Sequence, residues 1–125
     1  MPERLRHIAI NVPDVEKAAK FFEEAFGMKR VRRGGRSIHV ADGVVNVALL
    51  QTRDANEAVG LVHFGIWVDD FEASEKKALE AGAVCIQGPP ASNEGYYEAK
   101  YRNPDGIVFD LTHSGWPGAM KVEND

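Results

Sequence analysis

His7 opens the run HIAINVPDVEKA, and His63 opens HFGIWVDDFEAS. Laid on each other, the two runs share His7/His63, Ile10/Ile66, Val12/Val68, Asp14/Asp70 and Glu16/Glu72. A repeat of this length in a short chain signals two structural modules related by symmetry. It also sets an imidazole, a common metal ligand, at one point of both modules. A third donor stands in IVFDLT. There Ile107, Phe109 and Leu111 form an apolar set, and Val108, Asp110 and Thr112 the opposite one, so Asp110 shares the face expected of the histidines. Two histidines and a carboxylate, all on strands, make a facial triad for a divalent metal with open positions. A lone strand histidine is ordinarily a surface or satisfied core residue. Two at matching repeat positions, with Asp110 on a compatible face, point instead to a ligand set.

Other polar groups are candidates by neighbourhood. His39, in SIHVADG, is a candidate acid or base, with an exposed strand position as the alternative. Asn11, Trp67, Tyr97 and Tyr101 stand in strands beside the proposed ligands and are candidates to line a pocket, Tyr101 also to take part in catalysis. For the two tyrosines, packing in the core or at the surface is the alternative. Trp116, in the tail with His113, reads as a surface anchor, with a flap over the site as the alternative. There is no phosphate loop, no GxSxG and no CxxC.

The elements that must position these groups follow from periodicity. Residues 5–12 alternate, with Leu5, Ile8, Ile10 and Val12 set against His7, Ala9 and Asn11. Asp14 caps a helix whose apolar stripe is Val15, Ala18, Phe22, Ala25 and Phe26, and Gly27 ends it. Strands are expected over about 28–33, 36–41 and 44–51, with Gly34-Gly35 and Asp42-Gly43 as turns. The second module repeats this: a strand over 61–68, a helix from Asp70 to about Ala81, and strands over 83–87, 96–102 and 107–112. Residues 88–95 form a loop and 103–106 a tight turn. The expected class is α+β, with two βαβββ modules forming a half-open barrel around a cleft. The whole chain, 1–125, is expected to be one domain: module 1 about 5–51, a linker 52–60, module 2 about 61–112 and a tail 113–125.

Composition narrows the function. With 125 residues, 44% hydrophobic and 27% charged, the chain has ordinary globular values. A net charge of −4 lacks the basic footprint of a nucleic-acid binder. The one basic run, Lys29-Arg30-Val31-Arg32-Arg33 with Arg36, reads as the solvated side of a strand and turn, with an anion site as the alternative. A single cysteine, Cys85, excludes an internal disulfide framework and fits a cytoplasmic setting; its apolar context, AVCIQ, suggests a buried thiol. No apolar run reaches membrane-spanning length.

The chain resembles the vicinal oxygen chelate superfamily, which includes glyoxalase I, methylmalonyl-CoA epimerase, extradiol dioxygenases, fosfomycin-resistance enzymes and bleomycin-binding proteins. The resemblance runs from about Leu5 to Thr112 and is carried by RHIAINVPD, FGM at 26–28, HFGIWVDD and NPDGIVFDL at 103–111. It implies that His7, His63 and Asp110 hold one divalent metal (Fe, Mn, Ni or Zn), with Asp110 standing where the family commonly has Glu. Two departures bear on activity. The fourth ligand of glyoxalase I and the epimerase falls on Ala48, with Asn46 as a weak substitute. The tyrosine of the extradiol signature is offset by one residue at Tyr101, and the histidine just upstream is missing. The resemblance implies a metal-dependent enzyme that chelates neighbouring oxygens of a small-molecule substrate, of lyase, isomerase, transferase or dioxygenase type. The alternative is a sequestering protein like the bleomycin-binding branch. A homodimer, joined near the first strands of the modules, is also implied.

Overall fold

The computed structural model of the chain describes residues 3–92 and 94–121. Asn93 of the 88–95 loop and residues 122–125 of the tail lie outside the described residues. The first module runs β1 (Arg4–Val12), α1 (Val15–Phe26), β2 (Lys29–Arg33), β3 (Ser37–Ala41) and β4 (Asn46–Gln51). The second runs β5 (Gly60–Trp67), α2 (Phe71–Glu80), β6 (Val84–Gln87), β7 (Ala99–Arg102) and β8 (Val108–Thr112). This is βαβββ twice, the order that the repeat predicts.

The eight strands form one open sheet in the order β2-β3-β4-β1-β5-β8-β7-β6. β1 is parallel to β4 and β5 is parallel to β8, while β1 and β5 meet antiparallel at the seam between modules. The registers make the modules equivalent residue by residue. His7 stands opposite Asn46 and His63 opposite Val108, so Ala48 is the counterpart of Asp110. His39 faces Ala48 and Lys100 faces Asp110, so His39 and Lys100 correspond as well.

Local chemistry sets the helices. Asp14 accepts the Lys17 amide and Asp70 the Ala73 amide, each satisfying a first-turn donor. Gly27 closes α1 in the left-handed conformation at φ 69°, which a side chain would disfavour. α1 buries Val15 and Ala19 against Ile38, Val40, Val47 and Leu49; Ala18 and Phe22 are partly covered. Phe26, placed in the apolar stripe by periodicity, is 65% exposed and makes edge contact with Phe21 on the outer flank instead. α2 buries Phe71 against Val68, Tyr97, Ala99, Tyr101, Phe109 and Leu111.

The sheet is strongly rolled. β2 and β7 are six places apart in strand order, which would be about 29 Å in a flat sheet. Yet the Arg32 guanidinium of β2 lies 5.5 Å from the ring centre of Tyr96, just ahead of β7. The cleft enclosed between them lies on the face opposite the helices. Ladder pairing over the expected 96–102 strand begins only at Ala99. Cys85 is exposed rather than buried, because β6 is an outermost strand and all four of its residues are open to solvent. β1 and β5 are interior strands with both ladders occupied. No helix among the described residues is long and apolar enough to cross a membrane.

Candidate metal centre

Register brings the donors together. On β5, His63 and Gly65 share the cleft face, and Gly65 stands opposite both His7 of β1 and Asp110 of β8. The two imidazoles lie 5.4 Å apart between centroids. His63 Nε2 is 3.1 Å from Asp110 Oδ2 and His7 Nε2 is 3.8 Å from Glu98 Oε2. Donor atoms of His7, His63, Glu98 and Asp110 all lie within 4.8 Å of one another. The structure thus gathers His7, His63 and Asp110 and adds Glu98, which the sequence reading did not single out.

A buried asparagine fixes the His7 ring. Asn46 donates its Nδ2 amide to the Pro117 carbonyl at 2.9 Å, so its Oδ1 is the acceptor. That oxygen receives His7 Nδ1–H at 2.8 Å and His39 Nδ1–H at 3.2 Å. Both imidazoles are held in the Nδ1–H tautomer, and each keeps a lone pair on Nε2. Asn46 is therefore a support behind the histidines, not a substitute ligand. Burial drives the His7 pKa down to about 4, against the opposing pull of Asn46 and Glu98. Burial also lowers His39, again against Asn46. Both are neutral at pH 7.

Lys100 and Asp110 form the charged half of the site. Lys100 Nζ donates to Asp110 Oδ1 at 2.8 Å and lies 3.9 Å from Glu98 Oε1. Burial alone would raise the fully buried Asp110 carboxyl, but His63 and Lys100 outweigh it and hold the group below its usual range. The other oxygen, Oδ2, is buried and has no hydrogen-bond partner. It makes an ion-pair contact with His63 Nε2 at 3.1 Å.

The C-terminal segment closes one end of the cleft. The Trp116 indole lies flat on the His7 ring, 4.6 Å between centroids and 4° from parallel, and donates Nε1–H to Glu98 Oε2 at 2.7 Å. Trp116 is 4% exposed, so the surface-anchor reading is corrected. Its seat exists because Gly65 lacks a side chain: a Cβ there would fall 2.5 Å from the indole and 2.9 Å from His7 Cβ.

Four other candidates lie elsewhere. Tyr101 is fully buried beneath α2, stacked on Phe109, with its hydroxyl donating to Glu75. Tyr97 packs on Phe71, and its hydroxyl pairs with His113 Nδ1 at 2.7 Å. Strand alternation turns both into the second core and gives the cleft Glu98 and Lys100 instead. Trp67 points toward the cleft side but is covered by Gly115 and donates to the His113 carbonyl. Asn11 bonds to the Ala58 carbonyl and borders a neighbouring groove. His39 does line the cleft of the donors, together with His7, Ala48, His63, Tyr96 and Glu98. That cleft has a volume of about 240 Å³.

The donor set suits a divalent ion. Two ligands about 2.1 Å from one ion, at roughly 90–110°, stand about 3.0–3.4 Å apart. The contact between His63 Nε2 and Asp110 Oδ2 has that separation. Ligands on opposite sides of an ion are about 4.2 Å apart. The four donors spread to within 4.8 Å of one another, so the wider pairs must close by about 0.6 Å or more to share one ion. Imidazole with carboxylate matches Mn, Fe, Ni and Zn.

Residues 4–111 match the Glyoxalase/Bleomycin resistance protein/Dioxygenase superfamily, and the chain belongs to that superfamily. Among named relatives, the metallothiol transferase FosB of Lysinibacillus sphaericus is 22% identical over 118 residues, covering 90% of this chain and 83% of the relative. The probable lactoylglutathione lyase, chloroplastic, of Arabidopsis thaliana is 26% identical over 126 residues; the match covers 90% of this chain but only 36% of that protein. The Mn(II)-bound glyoxalase of Novosphingobium aromaticivorans superposes with a TM-score of 0.70 at 18% identity, over 95% of this chain and 42% of that one. These likenesses establish the fold.

Proposed function

We propose that the protein is a metal-dependent enzyme acting on a small molecule, with one divalent ion held by His7, His63, Asp110 and Glu98. The observation that carries this reading is the convergence of four donors in one cleft, all within 4.8 Å of one another and including the fully buried Asp110 carboxylate. The similarity to a metallothiol transferase and to a lactoylglutathione lyase supports it. A bound ion would supply Lewis acidity to neighbouring substrate oxygens, favouring a developing oxyanion. The chain's own groups do the rest. Asn46 keeps the His7 Nε2 lone pair toward the donors and fixes His39 in the same tautomer. His39, neutral and bordering the cleft, takes or returns a substrate proton at Nε2. Ala48 offers no donor, so the wall of module 1 stays open for substrate. Trp116 and the Pro117 carbonyl hold the site from behind and keep water from that side. A metal-free sequestering protein would have no use for this donor set.

The test is the metal content of protein purified without added metal, measured by mass spectrometry. About one ion per chain is expected, and His63→Ala is expected to lose it while keeping its circular dichroism spectrum. Full occupancy in His63→Ala would overturn the assignment. The metal found also sorts the chemistry: iron goes with oxygen chemistry, and nickel, zinc or manganese with lyase, isomerase or transferase chemistry.

A further inference from the structure

We infer that the cleft selects substrates bearing an oxyanion group, a carboxylate or a phosphate, and that Arg32 is the anchor for that group. The inference rests on the metal reading for the other end of the substrate.

The basic run on β2 is divided by a bulge. Pairing with β3 shifts register between Arg30 and Arg32, and such an extra residue re-aims the side chains around it. Arg30 and Arg33 turn to the helix side and pair with Glu16, Arg30 with Glu23 as well. Arg36 donates to the carbonyls of Gln51 and Thr52. Arg32 alone of these arginines borders the cleft, and among the described residues it has no carboxylate partner. Its guanidinium rests on the Tyr96 ring, 5.5 Å from the centroid. An aromatic seat of this kind holds a cation in place and lowers the ordering cost of binding.

Charge balance points the same way. Glu98 and Asp110 neutralise a divalent ion. With Lys100 bonded to Asp110 and Arg32 on the wall of the cleft of about 240 Å³, the site then carries an excess of two positive charges. The planar fork of arginine matches a carboxylate or phosphate with two parallel hydrogen bonds. The Ser37 hydroxyl lies on the same wall as a further donor. A neutral substrate would leave both charges unmatched. The cleft is small enough for one compact molecule to place its oxygens at the histidines and its anionic group at Arg32.

Two hydroxamates of equal length separate the ends. Pentanohydroxamic acid has a neutral tail; glutaric monohydroxamic acid ends in a carboxylate. Calorimetric titration into the manganese-loaded protein should show the carboxylate form binding roughly tenfold tighter. Arg32→Gln should bring the two affinities together. Equal affinities in the parent protein, or a preference that survives Arg32→Gln, would overturn the inference. If neither compound binds better with manganese than without, the metal reading fails by itself. The anchor is then judged by titrating inorganic phosphate into metal-free protein while following the Arg32 Nε–H resonance. A saturable shift upholds Arg32 as the anchor, and no shift overturns it.

Discussion

The side-chain oxygen of Asn46 stands 2.8 Å from His7 Nδ1, and both residues are buried. Because the amide nitrogen is spent on the Pro117 carbonyl, this oxygen fixes which face of the imidazole carries its lone pair. Asn46→Leu, of similar size, strands a buried N–H and a buried carbonyl. A loss of about 2–3 kcal/mol in urea unfolding is expected. Metal affinity, measured by competition with a chelator, should fall roughly 10–100-fold. Unaltered affinity would show that the tautomer is set by something else.

Acid should destabilise the metal-free protein well above the carboxylate range. Burial depresses folded His7 to about 4, from an ordinary value of 6.5. Between those values the unfolded chain binds a proton there that the folded chain refuses, so stability falls as pH falls from about 6.5 towards 4. His39 is shifted in the same direction. Asp110, held low, adds its own loss only below its ordinary value of 3.8. Unfolding free energies from urea titrations at pH 7 and pH 5 should differ by about 1–2 kcal/mol on account of His7. His7→Gln should flatten that dependence; an unchanged slope would remove His7 as its source.

Gly65→Ala tests the seat of the indole. The added methyl meets Trp116 at 2.5 Å and His7 Cβ at 2.9 Å, and both belong to packed rings. Overpacking of this kind costs about 1–3 kcal/mol. Trp116 emission should move to longer wavelength as the ring leaves its 4%-exposed position, and Glu98 should lose its indole partner. An unshifted spectrum with unaltered stability would mean that the segment accommodates the methyl.

Tyr101→Phe separates a core role from a catalytic one. The Tyr101 hydroxyl donates to Glu75 on the helix side of the sheet, away from the cleft. Its removal should lower stability by about 1–2 kcal/mol and leave metal content as it was. A large loss of metal or of hydroxamate binding with stability intact would return Tyr101 to the site.

The alternation rule that places Asp110 on the cleft face of β8 also reads YYEAKYR. Tyr97, Ala99 and Tyr101 are its apolar set, and Glu98 and Lys100 are the cleft set. Glu98 is thus legible in the sequence; the tyrosines compete with it as candidates because tyrosine is chemically capable as well as hydrophobic. Arg32 was not legible in this way. Strict alternation would put it with Arg30, and only the bulge turns it to the cleft. Trp116 follows from no local pattern, since its place depends on a glycine on β5 and a carboxylate ahead of β7. Exposure of Cys85 depends on strand order, which a short apolar run does not encode.

The two apolar clusters, one under each helix, remain distinct. A half of roughly 50 residues buries only a modest share of its surface and is marginal by itself. What makes the molecule fold as one body is the β1–β5 ladder and the groups lying across it, His7 on one side and His63, Glu98 and Asp110 on the other. These groups form a clasp as well as a donor set. The side chains proposed to hold the metal also tie the halves together, and a lesion among them is expected to loosen the halves from one another before it loosens either core.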